Sequence, residues 1–453
     1  TKVNSNEVSL IDFNSPKILD LHRYIKTIKQ IIVPGFPDAF NPSIVRYNHM
    51  VLLSFRTRIK KAYGPVGPDG NRMGLGFLSG TKTFNITSHI IEFDNPYCST
   101  PSRAHDPRLI ITPNPNPSNS NSPQLRVLYS NLYALELSYD PTTIGSSNRN
   151  KRLRMFKESR RMFTSTLMLN SHEGGSSGSI SSSMSSTGSS SNREHPVLSV
   201  PQVITNYHGA DARFKEQKNW IPFEYKQRIY YIQNIYPHKI VTTIKETAVR
   251  LSAPVLYETE NPDVFWDYGE MRGGTPAVLL PTSLTGTGSG IRSGIESVTN
   301  EVEIEVGEYI TIFHSSKMMK SIHSNGEIIQ HYFMGAYTFE AKPPFRITRI
   351  SAGPIFFHDM YNSPDYPTYK PIKCIFPMGL LIEDGSPSGS TSGSTSGSLG
   401  SLLHLTMGKQ DHESWVVTLD LNLFIKSLRV VGSLNESQDG DEGRSKSRTK
   451  TRT

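Results

Sequence analysis

Cysteine is almost missing from this chain: Cys98 and Cys374 are the only two in 453 residues. That excludes a disulfide scaffold and a zinc site of the CxxC type, and leaves room for one bridge at most. Long apolar runs are missing too. None approaches the ~18 residues needed to cross a bilayer, and no signal-peptide pattern opens the chain. The expectation is a soluble, cytoplasmic protein without a membrane span. No nucleotide-binding glycine loop occurs. His105 and Asp106 come nearest to a ligand pair, but neighbours on a strand point to opposite faces, so no metal and no cofactor is expected. Hydrophobic residues stand at 36%, below the usual share of a globular chain. Serine, glycine and asparagine stretches account for that dilution, so a well-cored fold with polar inserts fits better than general disorder.

Spread positive charge is also missing. Six of the eight net positive charges fall between Asn148 and Arg161, where seven basic residues face Glu158 alone. A nucleic-acid surface interleaves basic residues with stacking aromatics across a fold. One short cluster beside a loop indicates a solvated turn, and no nucleic-acid partner is expected.

What is present is aromatic and strand-like. There are 20 Tyr and 20 Phe, the residues of strands and of sugar-stacking clefts. Ser15-Pro16 before Ile18, Leu21, Ile25, Ile28 and Ile32 predicts one short N-terminal helix, with a cap and a first-turn proline. Beyond it, IVRYNHMVLLSF (Ile44–Phe55) predicts two strands about a turn at Asn48-His49. QLRVLYSNLYALELSY (Gln124–Tyr139), FEYKQRIYYIQNI (Phe223–Ile235) and EVGEYITIFHSS (Glu305–Ser316) share one theme, a few polar residues and then aliphatic and aromatic ones. Short strands without alternating helices make an all-β sandwich, barrel or propeller. The loose repeat, several tens of residues long, favours the propeller.

Residues 174–192 and 386–401 are nearly all Ser, Gly and Thr, 285–294 is a weaker example, and 433–453 is charged. None has enough apolar surface to offset its ordering entropy. The expected organisation is an N-terminal extension (1–33), one propeller domain (34–432) with three flexible, disordered insertions, and a disordered tail (433–453). Nothing in it speaks against a homo-oligomer.

Five stretches carry chemistry. FNPSIVRYNHMVLLSFR puts Asn41 before a proline at a strand mouth and Arg56 at the end of the next strand, an amide and a guanidinium suited to sugar hydroxyls. The same residues also suit a turn asparagine and a surface arginine. AHDPRLI holds Asp106 rigid before Pro107 and beside Arg108, a poised acid or a turn aspartate. KNWIPFEY offers Lys218, Asn219 and Trp220 to an anion and a sugar ring, although Trp220 equally fits a core. RGGTPAVLL allows close backbone approach at Gly273-Gly274, or is a plain tight turn. IFHSS and HYFMGAYTFE bring His314 to a strand end, facing a channel or bonded in a core.

Taken in order, these stretches resemble glycoside hydrolase family 130, the β-mannoside phosphorylases and hydrolases, and the related β-1,2-mannosyltransferases. The likeness rests on Phe40-Asn41-Pro42 with Arg56, His105-Asp106-Pro107-Arg108, Lys218-Asn219, Gly273-Gly274-Thr275-Pro276, Phe313-His314, Tyr332 to Gly335-Ala336, and Gly408 to Asp411. It spans Phe36 to Leu421. The resemblance implies a five-bladed β-propeller acting on an oligosaccharide or glycan. Asp106 would be the general acid, protonating the glycosidic oxygen through a sugar hydroxyl. Asn41, Arg56 and Asp411 would hold the mannose, with His105, Arg108, Asn219 and Trp220 as further substrate contacts. Lys218, His314 and Tyr332 would hold inorganic phosphate or a sugar phosphate as co-substrate. Inverting transfer needs one acid and an attacking group on the far face of the ring. Phosphate brings its own charge and needs cations and hydrogen bonds to place it, not a second carboxylate. The chain departs from the family at His105, where Glu is usual, and at the residues flanking His314. The expected activity is therefore transfer of a mannosyl or related unit to or from phosphate. An inverting β-mannoside hydrolase and a non-catalytic glycan-binding propeller are the alternatives.

Overall fold

Phe40–Tyr47 and Met50–Arg58 form the hairpin expected of IVRYNHMVLLSF, and Asn48 takes φ 53° at its turn. Asparagine is among the few residues that accept that left-handed backbone cheaply. The structure, a computed structural model, describes residues 23–58, 71–86, 91–93, 104–112, 123–136, 156–168, 197–199, 201–205, 218–248, 250–281, 307–357, 359–363, 371–383 and 400–432.

Five sheets follow one another around a ring. Blade 1 adds Asn71–Leu78 and Ile91–Phe93 to the first hairpin. Blade 2 runs His105–Thr112, Gln124–Glu136, Phe156–Met168 and Gln202–Thr205. Arg250–Ser252 and Ile244–Lys245 extend its outer edge. Blade 3 is Ile221–Tyr225, Arg228–Asn234, His238–Thr242 and Val255–Thr259. Blade 4 is Val278–Leu279, Glu308–Met319, Ile329–Glu340 and Ile347–Ile350, with Arg429–Val430 outside. Blade 5 is Ile375–Glu383, Leu402–Lys409, Glu413–Asp420 and, outermost, Ile25–Ile31. The fold is thus a five-bladed β-propeller whose first strand completes its last blade.

The core is divided the same way. Five apolar clusters are found among the described residues, one at each blade interface. Leu52, Met73 and Val127 join blades 1 and 2. Met162, Ile204 and Tyr231 join blades 2 and 3. Phe223, Phe339 and Phe345 join blades 3 and 4. Phe333, Met334 and Leu405 join blades 4 and 5. Ile44, Phe55 and Leu381 close the ring between blades 5 and 1. No blade buries its faces alone, so the ring is the stable unit.

Three expectations need correction. The helical spacing near the start does not prevail over Ile25–Ile31, which is a strand antiparallel to Glu413–Asp420. Its β-branched residues suit a strand, and it satisfies the backbone groups along the edge of Glu413–Asp420. Residues 25–31 therefore belong to a blade rather than to an extension; residues 1–22 lie outside the described residues. The helix that is seen, Leu421–Ser427, follows the last strand of blade 5. Asp420 caps it by accepting from Leu423 N at 3.0 Å, and Phe424 packs on Tyr24. Finally, the basic cluster is not wholly a solvated turn. Phe156–Met168 is a strand, and Arg161 is buried in it; residues 148–155 lie outside the described residues. So do the insertions 174–192, 285–294 and 386–399, and the tail. Among the described residues no helix is long and apolar enough to cross a membrane.

Candidate active site

The inner strands of blades 1, 2 and 5 are irregular at the same end. Strand pairing slips between Phe40 and Ser43, between His105 and Arg108, and between Pro377 and Gly379. Pro42 and Pro107 stand inside the first two slips and Pro377 borders the third, and a proline has no N–H to give the ladder. Such bulges turn side chains out of the regular alternation. At this mouth Asn41 (φ 51°), Asp106 (58°), Asn219 (63°) and Asp411 (55°) all hold left-handed backbone. Asn and Asp tolerate it best, yet each such residue stores on the order of 1 kcal/mol or more of strain. Four of the residues singled out from the sequence therefore share one backbone feature at one end of the ring.

Asp106 is gripped from blade 1. The Asn41 amide donates to Asp106 Oδ1 at 2.8 Å, and an Arg56 terminal nitrogen lies 3.5 Å from the same oxygen. The other terminal nitrogen of Arg56 lies 3.4 Å from His105 Nε2. A guanidinium only donates, so His105 accepts there and carries its proton on Nδ1. Regular alternation would send His105 and Asp106 apart. The bulge and the positive φ of Asp106 bring both to one guanidinium. Arg56 itself lies over the Phe40 ring, 4.7 Å from its centroid. Arg108, expected to touch substrate, is 0% exposed. Its Nε donates to Gly274 O at 2.5 Å, and a terminal nitrogen points to Asp106 O at 3.4 Å. It ties blade 2 to blade 4 beneath the acid.

Opposite lies a second group. Asp411 sits in a tight turn after Gly408, and its carbonyl accepts from Arg58 at 2.8 Å. The Cys374 thiol donates to its Oδ1 at 3.9 Å. Burial pushes the Asp411 carboxyl up, while Arg56 pulls it down. Burial also raises the Tyr332 phenol, with Cys374, Asp411 and Asp106 acting in the same sense. His314 is pushed down to about 3 by burial, then by Arg108 and Arg272. It is therefore a neutral imidazole, stacked on Tyr332 with centroids 6.1 Å apart and tilted against Phe376 at 4.4 Å. It lies within Glu308–Met319 rather than at a strand end, and its backbone pairs with Arg272. These mutual fields place Asp106, Asp411, His314, Tyr332, Arg56 and Arg272 in one neighbourhood.

Lys218 and Asn219 line a cavity of about 300 Å³ with Arg272 and Gly273. A Cβ at Gly273 would stand 1.9 Å from Asn219 O, so only glycine lets the starts of blades 3 and 4 close on each other. Trp220 is not in this cavity. It is 2% exposed, packed between blades 2 and 3 beside Tyr231. Its indole is consumed by the core and has no face to offer a sugar. The sequence reading missed Arg58, Arg272 and Cys374. Arg58 was legible, because it lies two residues from Arg56 and so on the same strand face. Among the described residues no three His, Cys, Asp or Glu side chains converge as a metal site requires.

No protein-family model and no curated protein matches the chain. Solved structures do match it in outline. One is a GDP-Man-dependent mannosyltransferase from Leishmania mexicana, 12% identical, covering 90% of this chain and 94% of that one, with a TM-score of 0.45. Another is a mannose phosphorylase from the same organism, solved with a phosphate ion. It is 11% identical, covering 92% and 95%, with a TM-score of 0.43. A third is a glycosyl hydrolase from Bacteroides ovatus, 13% identical, covering 85% and 84%, with a TM-score of 0.44. The fold assignment rests on this chain's own strand pairing.

Proposed function

We propose that the protein is a carbohydrate-active enzyme that transfers a mannosyl or related unit to or from phosphate with inversion. The observation that carries this reading is the mouth carboxylate of Asp106, its Oδ1 held by Asn41 and Arg56. With Oδ1 taken by two donors, the acid's proton belongs on Oδ2. Asp106 gives that proton to the departing glycosidic oxygen, directly or through a sugar hydroxyl. A phosphate oxygen bonds the anomeric carbon from the other face as the glycosidic bond breaks. Asn41, Arg56, His105 and Asp411 line the sugar subsite. Lys218 supplies charge to the phosphate, Tyr332 a neutral O–H donor and His314 an uncharged imidazole. Transfer to water would need a carboxylate base. Among the described residues Asp411 is a carboxylate within the field of Asp106, and it is assigned to the sugar subsite, whereas Lys218, His314 and Tyr332 favour an anionic acceptor over water.

The test is to incubate the protein with mannose 1-phosphate and a mannose acceptor and to follow free phosphate. Release that vanishes in Asp106→Asn supports the proposal. Glycan binding untouched by that change, with no turnover of any donor, would replace it with a non-catalytic glycan-binding propeller. Mannoside cleavage without phosphate would replace it with a hydrolase.

A further inference from the structure

We infer that Arg272 selects the phosphoryl-bearing co-substrate of this site, and that Glu270 is a built-in carboxylate which the incoming anion must displace. The inference rests on the glycosyl-transfer reading above and adds to it two residues and a mode of selection. The cavity between the starts of blades 3 and 4 has Lys218 and Asn219 on one wall and Glu270, Arg272 and Gly273 on the other. The Arg272 backbone is fixed, donating to His314 O at 2.8 Å and accepting from His314 N at 3.0 Å. Its side chain is not fixed in the same way. Arg272 and Glu270 side chains are 48% and 69% exposed, so their ion pair is a weak, solvent-screened one.

The form of that pair matters. Arg272 Nε and a terminal nitrogen both donate to a single oxygen, Glu270 Oε2, at 3.0 and 2.7 Å. The planar fork of a guanidinium is better served by two oxygens at once. A phosphoryl group offers two oxygens to the fork and a third toward Lys218. Water and neutral hydroxyls offer no charge with which to displace Glu270. The pair is therefore a weak resting competitor, one that gives way to an oxyanion able to fill both arms of the fork. Arg272 is also one of the charges that depress His314 and oppose the rise of Tyr332, so an anion held there lies within the field of the reacting groups.

Isothermal titration of inorganic phosphate and of mannose 1-phosphate into the whole protein tests this, alongside Arg272→Gln and Glu270→Gln. Arg272→Gln should weaken binding about tenfold or more, as loss of a charge-assisted contact does. Glu270→Gln should tighten it several-fold, because the competitor is neutralised while the fork remains. A response with either phosphate compound carries the inference and says which form of the anion is bound. Unchanged affinity in Arg272→Gln, weaker affinity in Glu270→Gln, or no binding by the unaltered protein overturns it. The two proposals separate cleanly. Opposite shifts in affinity without glycosyl turnover retain the anion site and discard the enzyme. Asp106-dependent phosphorolysis with an unchanged KM for phosphate in Arg272→Gln does the reverse.

Discussion

The side-chain amide of Asn41 donates to Asp106 Oδ1 across 2.8 Å, joining blade 1 to blade 2 at the mouth of the ring. Both residues precede a proline, both lie in a slip of strand pairing, and both hold positive φ. Two strained turns thus aim a donor and an acid at each other. Strain of this kind persists where the surrounding structure over-determines it. Here the clamp is Arg108 beneath Asp106 and Gly408 behind Asn41.

Asp106→Asn should cut turnover sharply while leaving the fold intact. The new amide can present its oxygen to Asn41 Nδ2, so the inter-blade bond survives, but it has no proton to deliver. General acid catalysis contributes about 10²- to 10⁴-fold, and kcat should fall by that factor. The thermal midpoint should move by no more than a few degrees. An unfolded variant, or one with full activity, would remove Asp106 from the role assigned to it.

Gly408→Ala should reproduce the loss of Asn41 without touching it. A Cβ at 408 would stand 1.9 Å from Asn41 Oδ1 and 2.9 Å from its backbone nitrogen. The backbone contact leaves little room to yield, so Asn41 must move off Asp106. Overpacking of this kind costs about 1–3 kcal/mol, readable in urea denaturation. Sugar affinity should drop with it, to the level of Asn41→Ala.

Much of this was legible in the sequence. The hairpin about Asn48-His49 and the long strands in 124–136 and 308–319 follow from pattern and turn chemistry. Of the mouth residues, Asn41 and Asp106 were legible because Asn-Pro and Asp-Pro at strand starts signal special backbone, whereas the positive φ of Asn219 and Asp411 had no such signal. What failed did so for tertiary reasons. Ile25, Ile28 and Ile32 carry a helical spacing, but the open edge of the last blade takes Ile25–Ile31 as a strand. Trp220 beside Lys218-Asn219 looks like a sugar platform until the blade interface claims it. Arg108 looks like a partner for substrate, whereas its depth makes it a strut. Single-strand patterns do not say which neighbouring blade a side chain will meet.

Stability should fall on mild acidification, and His238 should account for a separable part of it. His238 is buried between blades, donates Nδ1–H to Phe345 O at 2.9 Å and meets the Tyr337 ring edge-on. Burial pushes it down to about 4, against the opposing effect of the Phe345 bond. An unfolded histidine titrates near 6.5. Between those values the unfolded chain binds a proton that the folded one refuses, so stability is lost as pH drops through 6.5 toward 4. In His238→Asn the amide nitrogen stands in for Nδ1 and does not titrate. The stability difference between the two proteins should therefore shift against the unaltered protein by on the order of 2 kcal/mol from pH 7 to pH 5. Urea curves across that range measure it, and parallel pH profiles would contradict it.

Arg56→Lys tests whether one guanidinium must serve two neighbours. Arg56 reaches Asp106 Oδ1 through one terminal nitrogen and His105 Nε2 through the other. A lysine ammonium is a point charge on a flexible stem and cannot reproduce the fork. It will stay with the carboxylate and release the imidazole, or the reverse. The expected loss in kcat/KM is about 10- to 100-fold, the worth of one to two charge-assisted contacts. If Arg56 acts partly by holding His105, then His105→Ala should cost less in the Arg56→Lys background than in the native one. A double-mutant cycle reads that difference directly. Simple additivity would mean that His105 contributes to the site independently of Arg56, and that its approach to the guanidinium has no functional weight.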